Sequence, residues 1–173
     1  MKKWLWIALV ATLPSIGFSS DKNPKNPIME DAPDGSGRQL VLPEDVKEAL
    51  ATEFPSFRVP KDSEYNPEML AYYNSRLIGP HPCVAWGDFN GDKKRDYAFL
   101  IITGDSKWGP LCDLVILNGD HGHSFEVFRL GEVYDFKDDY MSFVDGKLTK
   151  GRYKKNAWYI TWDKKNNTYT VLK

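Results

Sequence analysis

The sequence predicts an α+β fold in which short N-terminal helices pack on an antiparallel β-meander of about five to seven strands. Helix signals are confined to the segment before Cys83, whereas strand-length apolar runs separated by turn residues fill the chain after it. Runs of helix followed by runs of strand are typical of α+β domains. Apolar residues make up 42% of the chain and aromatic residues 14%, which is sufficient for a packed core.

Residues 1–19 are predicted to form a secretory signal peptide. Two lysines precede an uncharged stretch from Trp4 to Phe18, and small residues favour cleavage after Ser19 or, alternatively, Gly17. The alternative is a membrane anchor, but the stretch of about 15 residues is shorter than the ~20 that a spanning helix needs. We therefore expect export to the periplasm or the extracellular space, with no membrane insertion after cleavage.

Residues 20–37 are rich in Pro, Asn, Asp and Lys and are predicted to form a flexible leader, followed by a single domain over residues 38–173. Removal of two lysines with the signal peptide changes the formal net charge from −1 to about −3. Because neither sign of charge dominates, a nucleic-acid partner is not indicated. We expect a monomer.

The first helix is predicted to begin at Pro43, because proline followed by two acidic residues favours a helix N-terminus. Val46, Leu50 and Phe54 recur at a spacing of four and form one apolar stripe. Pro55 is expected to end the helix.

A second, shorter helix is predicted after its cap Asn66, with Met69, Leu70 and Tyr73 on its buried side. Beyond it the pattern changes to β-strands. We expect strands at Tyr97–Thr103, Leu111–Leu117, Phe125–Leu130, Met141–Val144, Lys147–Tyr153, Ala157–Trp162 and Thr168–Leu172.

The segment from Asp88 to Asp96 carries the one pattern that indicates specific chemistry. In its D-x-N-x-D-x-x-x-D spacing, Asp88, Asn90 and Asp92 would supply side-chain oxygens, Lys94 its carbonyl and Asp96 the last carboxylate. Ca²⁺ takes six to eight oxygen ligands, and a short turning loop supplies most of them. The pattern therefore predicts a Ca²⁺ site. The alternative is a metal-free turn whose Asp and Asn side chains cap their own backbone.

Two positions depart from the EF-hand form of such a loop. Lys93 stands where glycine is usual, and Phe99 stands where a bidentate glutamate closes the site. A lysine with positive φ at this turn would cost on the order of 1–3 kcal/mol. Both departures count against a tightly bound ion.

Residues 86–98 resemble the GDFNGDGxxDYA element of FG-GAP/VCBS-type repeats, which occur in integrin-like β-propeller blades and in many secreted bacterial proteins. In those repeats the loop holds Ca²⁺ before a strand, so the resemblance implies a calcium-stabilised fold. The motif occurs once, which excludes a complete propeller. The whole chain is similar in plan to small exported bacterial proteins of uncharacterised role.

Cys83 and Cys112 are the two cysteines of the chain. In an exported protein a disulfide between them is expected. It would close a loop of about 30 residues and contribute roughly 3–4 kcal/mol. The alternative is two unrelated buried thiols.

Three tryptophans are candidate partner-binding residues. Trp108 lies in a loop beside a Gly-Pro pair, whereas Trp158 and Trp162 share one face of the last hairpin with Ile160. Exposed indoles could stack on sugar rings or anchor a protein partner. The alternative is that the face with Trp158 and Trp162 belongs to the core.

Other groups give weaker indications of function. His121 and His123 lack the further ligands that a zinc site needs. Asp135, Asp138 and Asp139 are clustered, and a solvated acidic loop explains them, although the paired carboxylates of a glycosidase stay an alternative.

The sequence therefore predicts an exported calcium-binding interaction module without catalysis, whose partner is a protein or glycan of the cell envelope. One alternative is an envelope carbohydrate hydrolase using Asp135 and Asp139. The others are an inhibitor or immunity-type protein and a structural protein without a specific partner.

Overall fold

The computed structural model describes residues 26–35, 37–76, 78–120 and 124–172. The predicted signal peptide, residues 1–19, and the pair His121 and His123 lie outside the described residues. Within the described ranges no helix is long and apolar enough to cross a membrane.

The predicted fold class is wrong. The described residues form ten strands in three antiparallel sheets with only two short helices, so the fold is mostly β and is not a set of helices on one meander. The elements are β1 (Ile28–Asp31), β2 (Arg38–Val41), α1 (Glu44–Glu53), α2 (Pro67–Ser75), β3 (Val84–Gly87), β4 (Asp96–Ser106), β5 (Gly109–Gly119), β6 (Phe125–Val133), β7 (Asp139–Val144), β8 (Lys147–Arg152), β9 (Trp158–Asp163) and β10 (Thr168–Leu172).

The first large sheet has the order β3-β4-β5-β6. Its central strands β4 and β5 are buried along most of their length, as their nearly unbroken apolar runs predict for strands covered on both faces. Val46 and Leu50 of α1 and Met69 and Tyr73 of α2 belong to the same core as these strands. The predicted buried sides of both helices are thus confirmed for these four residues, while Phe54 and Leu70 are only partly buried.

The second large sheet has the order β10-β9-β8-β7, and its buried residues belong to the same core as those of the first sheet. At one side the Met141 N–H donates to the Pro82 carbonyl at 2.7 Å, beside β3. At the other side the ring of Phe128 on β6 packs against Tyr169 on β10, with centroids 5.4 Å apart. The local sequence patterns that predicted β4 to β10 do not reveal that the meander divides into two sheets after β6.

The third sheet is the hairpin of β1 and β2, paired from Ile28 with Val41 to Asp31 with Arg38. Residues 28–31 were expected within the flexible leader, so the structure differs from that expectation. The four-residue strand was missed because the prolines around it dominate the composition of the segment. Leu40 of β2 is buried and attaches the hairpin to the core.

Candidate functional site

The predicted calcium loop joins β3 to β4, and the antiparallel pairing of Gly87 with Asp96 closes it. Asp88 organises the turn that follows. Its Oδ1 accepts hydrogen bonds from the N–H groups of Gly91 (2.7 Å) and Asp92 (3.0 Å), and its Oδ2 accepts from Lys93 N–H at 2.9 Å. One side chain therefore holds three successive loop amides.

Asn90 and Asp92 continue this pattern. Asn90 Oδ1 accepts from the Asp92 N–H at 3.0 Å, and Asp92 Oδ1 accepts from the Lys94 N–H at 2.8 Å. Lys93 adopts φ 68°, the left-handed conformation expected for a residue at the usual glycine position. The loop thus has the expected shape despite its lysine.

Asp96 lies beneath the loop and is completely buried. Its Oδ2 accepts from the Phe89 N–H at 2.7 Å and its Oδ1 from the Gly119 N–H at 3.0 Å. Burial raises the pKa of Asp96 to about 6, because the two N–H donors only partly offset desolvation and the carboxylates of Asp92 and Asp88 raise the value further.

Gly119 is required for this arrangement. A Cβ at position 119 would lie 2.4 Å from the carbonyl oxygen of Arg95, closer than any side chain tolerates. The absence of a side chain lets the end of β5 approach the loop, so that its N–H reaches Asp96.

Lys94 brings a positive charge to the rim of the loop. Its Nζ lies 3.2 Å from Asp120 Oδ1 and 3.8 Å from Asp92 Oδ2. Its carbonyl was predicted as a ligand, whereas the structure shows that its ammonium already balances part of the loop's negative charge.

The donor set of the loop fits Ca²⁺ in chemistry, because Asp88, Asn90, Asp92 and Asp96 offer only oxygen. A carboxylate has about four acceptor positions, so these side chains keep some for a cation while they accept N–H bonds. In the described part of the chain, however, no three His, Cys, Asp or Glu side chains are gathered as a metal-holding group. The loop is therefore held by its own hydrogen bonds.

The predicted disulfide is not formed in the structure, where Cys83 and Cys112 are both free and buried. Strand β4 runs between them: the Cys83 carbonyl accepts from Leu100 N–H, and Cys112 pairs with Ile102. Two strand spacings amount to about 9.5 Å, beyond the Cα separation of up to about 7 Å that a disulfide spans. The sequence predicts this strand between the two cysteines, but it does not show that Cys83 and Cys112 lie on opposite sides of it.

A buried chain of polar groups next to Cys83 was not predicted. His81 Nδ1 accepts from Cys83 N–H (3.3 Å) and lies 2.9 Å from Cys83 Sγ, while His81 Nε2 lies 3.3 Å from Asp62 Oδ1. The order resembles that of a nucleophile, a base and an orienting acid, but Cys83 is fully buried and burial raises the pKa of its thiol. A buried thiol with a raised pKa is unreactive, so we interpret this chain as structural.

The three predicted tryptophans have different surroundings. Trp108 is 86% exposed, with Lys107 Nζ 4.9 Å from its ring centroid. Trp162 packs against Phe128 and Tyr169 at centroid distances of 5.8 and 4.8 Å. Trp158 is 38% exposed, shares one face of β9 with the buried Ile160 and pairs with Lys150 of β8.

An open groove of about 670 Å³ lies beside the loop. Strand β8 pairs with β9 only from Leu148–Ile160 to Lys150–Trp158, whereas β9 continues along β10 as far as Asp163. The groove lies where β8 and β9 separate. These two strands form one wall, and the loop from Asp88 to Gly91 forms the other. Its lining includes Asp88, Phe89, Asn90, Tyr159, Thr161, Trp162 and Leu172.

The acidic cluster considered for hydrolysis is engaged in structural contacts. Asp139 is buried, with Lys150 Nζ 2.7 Å from its Oδ2. Asp135 accepts from Arg152 Nη2 at 3.0 Å, and Asp138 accepts from Asn66 Nδ2 at 2.9 Å. The predicted solvated acidic loop therefore fits the exposed Asp135 but not the buried Asp139, and the sequence did not distinguish the two.

Comparison of the chain with protein-family models, with curated proteins and with solved structures finds no match.

Proposed function

We propose that this protein is an exported, non-catalytic binding module whose loop from Asp88 to Asp96 binds Ca²⁺. Its partner is an extended segment of a cell-envelope protein, held in the groove beside that loop. The observation that carries the proposal is that Asp88 and Asn90 belong both to the predicted calcium loop and to a wall of the groove. The signal-like N-terminal pattern supports the exported location.

Burial of Asp96 beside two further carboxylates supports the calcium part of the proposal. An ionised group without a compensating charge is costly in a buried position, and like charges nearby add to the cost. A bound Ca²⁺ would offset two of the three negative charges of Asp88, Asp92 and Asp96 and would fix the loop. Because the loop forms a wall of the groove, calcium should also favour partner binding.

The geometry of β9 supports an extended peptide as the ligand. From Thr161 to Asp163 this strand pairs with β10 on one side, and no other described strand pairs with it on the side of the groove. An unpaired strand edge binds extended peptides through main-chain hydrogen bonds. Tyr159, 49% exposed, and Leu172, 52% exposed, would contact alternate side chains of such a segment.

The test is a selection of displayed peptides against the parent protein in excess Ca²⁺. We expect selected peptides to alternate apolar and polar residues, and to bind at least tenfold more weakly in chelator or to Tyr159→Ala. Trp108→Ala removes an exposed aromatic residue that does not line the groove, and it should bind as the parent does. Peptides that bind Tyr159→Ala as tightly as the parent would contradict the proposal that the groove is the binding site. Peptides that bind equally in calcium and chelator would overturn the role of the ion.

A further inference from the structure

A second pocket, of about 470 Å³, lies at the Trp158 end of the β8–β9 pair. It is lined by Lys150, Arg152, Lys155, Asn156 and Trp158. We propose that this pocket binds a small anionic sugar, a hexose that carries a carboxylate. The proposal rests on neither the calcium loop nor the peptide groove.

Lys150 is a cation built into the interior of the fold. Its side chain is only 5% exposed, and its Nζ lies 2.7 Å from Asp139 Oδ2 and 4.6 Å from the ring centroid of Trp158. Lys150 and Trp158 are direct partners in the β8–β9 register. The ammonium is therefore held between a buried carboxylate and an indole, so that Lys150 and Trp158 form a fixed wall of the pocket.

Arg152 follows Lys150 on the same face of β8, two residues along the strand. Its Nε lies 3.4 Å from Asp139 Oδ1, and its Nη2 donates to both the carbonyl and the carboxylate of Asp135 at 3.0 Å. Asp139 lies behind both cations and is fully buried, so these cations rather than the carboxylate line the pocket.

The charges around the pocket leave an excess of one positive charge. Lys150, Arg152 and Lys155 carry three positive charges, and Asp135 and Asp139 carry two negative ones. Lys155 is exposed, and no ion pair to it is found among the residues that the structure describes. An incoming carboxylate would therefore meet the ammonium of Lys155, with the Asn156 amide as a second donor.

The indole of Trp158 indicates that the ligand carries a ring in addition to its negative charge. Its 38% exposure leaves apolar ring surface at the pocket, and sugar rings stack on such surfaces through their C–H faces. The volume lies within the range of about 300–1,000 Å³ usual for small-molecule sites. A cationic rim beside an indole thus selects a ring that carries a negative charge.

The test is an isothermal titration of the full protein with glucuronate, with glucose as the uncharged control, in chelator so that calcium does not contribute. We expect saturable binding of glucuronate, no measurable binding of glucose, and weaker binding as salt increases. Lys155→Ala should weaken glucuronate about tenfold, as for loss of one charged hydrogen bond. Lys164→Ala, which removes an exposed lysine of the other groove, should have no effect.

Inorganic phosphate distinguishes the contribution of the cations from that of the indole, because phosphate carries negative charge but has no ring to stack on Trp158. If the indole supports the sugar ring, Trp158→Ala should weaken glucuronate about tenfold while leaving phosphate binding almost unchanged. Thermal melts of each variant would verify that it is folded. The proposal is overturned if glucuronate does not saturate the parent, or if Lys155→Ala and Trp158→Ala bind it as tightly as the parent does.

Discussion

At the scale of single residues, backbone strain and charge pairing distinguish positions that look alike in the sequence. Lys93 and Lys164 are both exposed turn lysines, but only Lys93 has a positive φ, at 68°. The left-handed conformation costs an L-residue roughly 1–2 kcal/mol, whereas glycine adopts it freely. The backbone strain of the predicted calcium loop is therefore located at Lys93.

Replacing Lys93 by glycine should relieve that strain. Glycine loses more conformational entropy on folding, so we expect Lys93→Gly to raise the unfolding free energy by no more than about 1 kcal/mol. Lys164→Gly introduces the same flexibility without relieving strain and should lower it. Urea denaturation measures both changes. A loss of stability in Lys93→Gly as large as that in Lys164→Gly would contradict the assignment of strain.

Glu64 gives a prediction for pH. Burial raises the pKa of Glu64, but two hydrogen bonds from Arg58, at 2.7 and 2.8 Å, and one from Lys61 N–H outweigh it, so the pKa lies below its usual value of 4.5. A lowered pKa stabilises the fold above the unfolded value, and this contribution disappears as pH falls through the folded value.

We therefore expect Glu64→Gln to be less stable than the parent at neutral pH, and the difference to shrink as pH falls below about 4.5. Chemical denaturation at several pH values measures it. In an Arg58→Gln background the same substitution should have little further effect, since the pair is already broken. A difference between Glu64→Gln and the parent that is constant with pH would refute the pairing.

At the scale of elements, strand β8 combines a core face with a buried ion pair. Leu148 and Lys150 both point inward, and Asp139 on β7 receives the Lys150 ammonium. Burial raises the pKa of Asp139, and the cations Lys150 and Arg152 reduce this rise without cancelling it. Removing only one of these two charges would therefore leave the other buried without its partner.

Asp139→Ala should leave the Lys150 ammonium without its buried partner and lower the unfolding free energy by about 3–5 kcal/mol. The double variant Asp139→Leu with Lys150→Met replaces the pair by apolar groups and should recover most of that loss. Urea denaturation of the three proteins measures the coupling. A double variant less stable than Asp139→Ala would show that the pair is not the source of the cost.

At the scale of the whole molecule, the seven strands expected after the calcium loop and both helices were predictable because each depends on local signals. Asn66, for example, caps α2 by accepting the Glu68 N–H at 3.0 Å, as its position before Pro67 predicts. The division into two sheets was not predictable, because it depends on contacts such as Met141 with Pro82 that are distant in sequence. The same reasoning applies to the candidate site. The spacing of Asp88, Asn90, Asp92 and Asp96 could be recognised in the sequence, whereas the groove could not, because it is lined by residues distant in sequence.

The position of the two cysteines on either side of β4 gives a prediction for the whole fold. We expect two thiols per chain that react with a thiol reagent only after unfolding, because both are buried. Reductant should leave the melting temperature unchanged. An unfolded chain without reactive thiols would show that Cys83 and Cys112 are joined and that the strands around them are arranged differently.

The most direct test of the calcium-loop proposal is a thermal melt of the protein in excess Ca²⁺ and in chelator. An ion that binds only the folded state at 100 times its Kd adds about 2.7 kcal/mol, which corresponds to a rise of several degrees. We expect this rise in the parent and in Asp163→Ala, which removes a similar turn-capping carboxylate outside the loop. Asp88→Ala and Asp92→Ala should melt lower and lose the difference between the two buffers. A parent that melts at one temperature in both would contradict calcium binding and leave the loop a hydrogen-bonded turn.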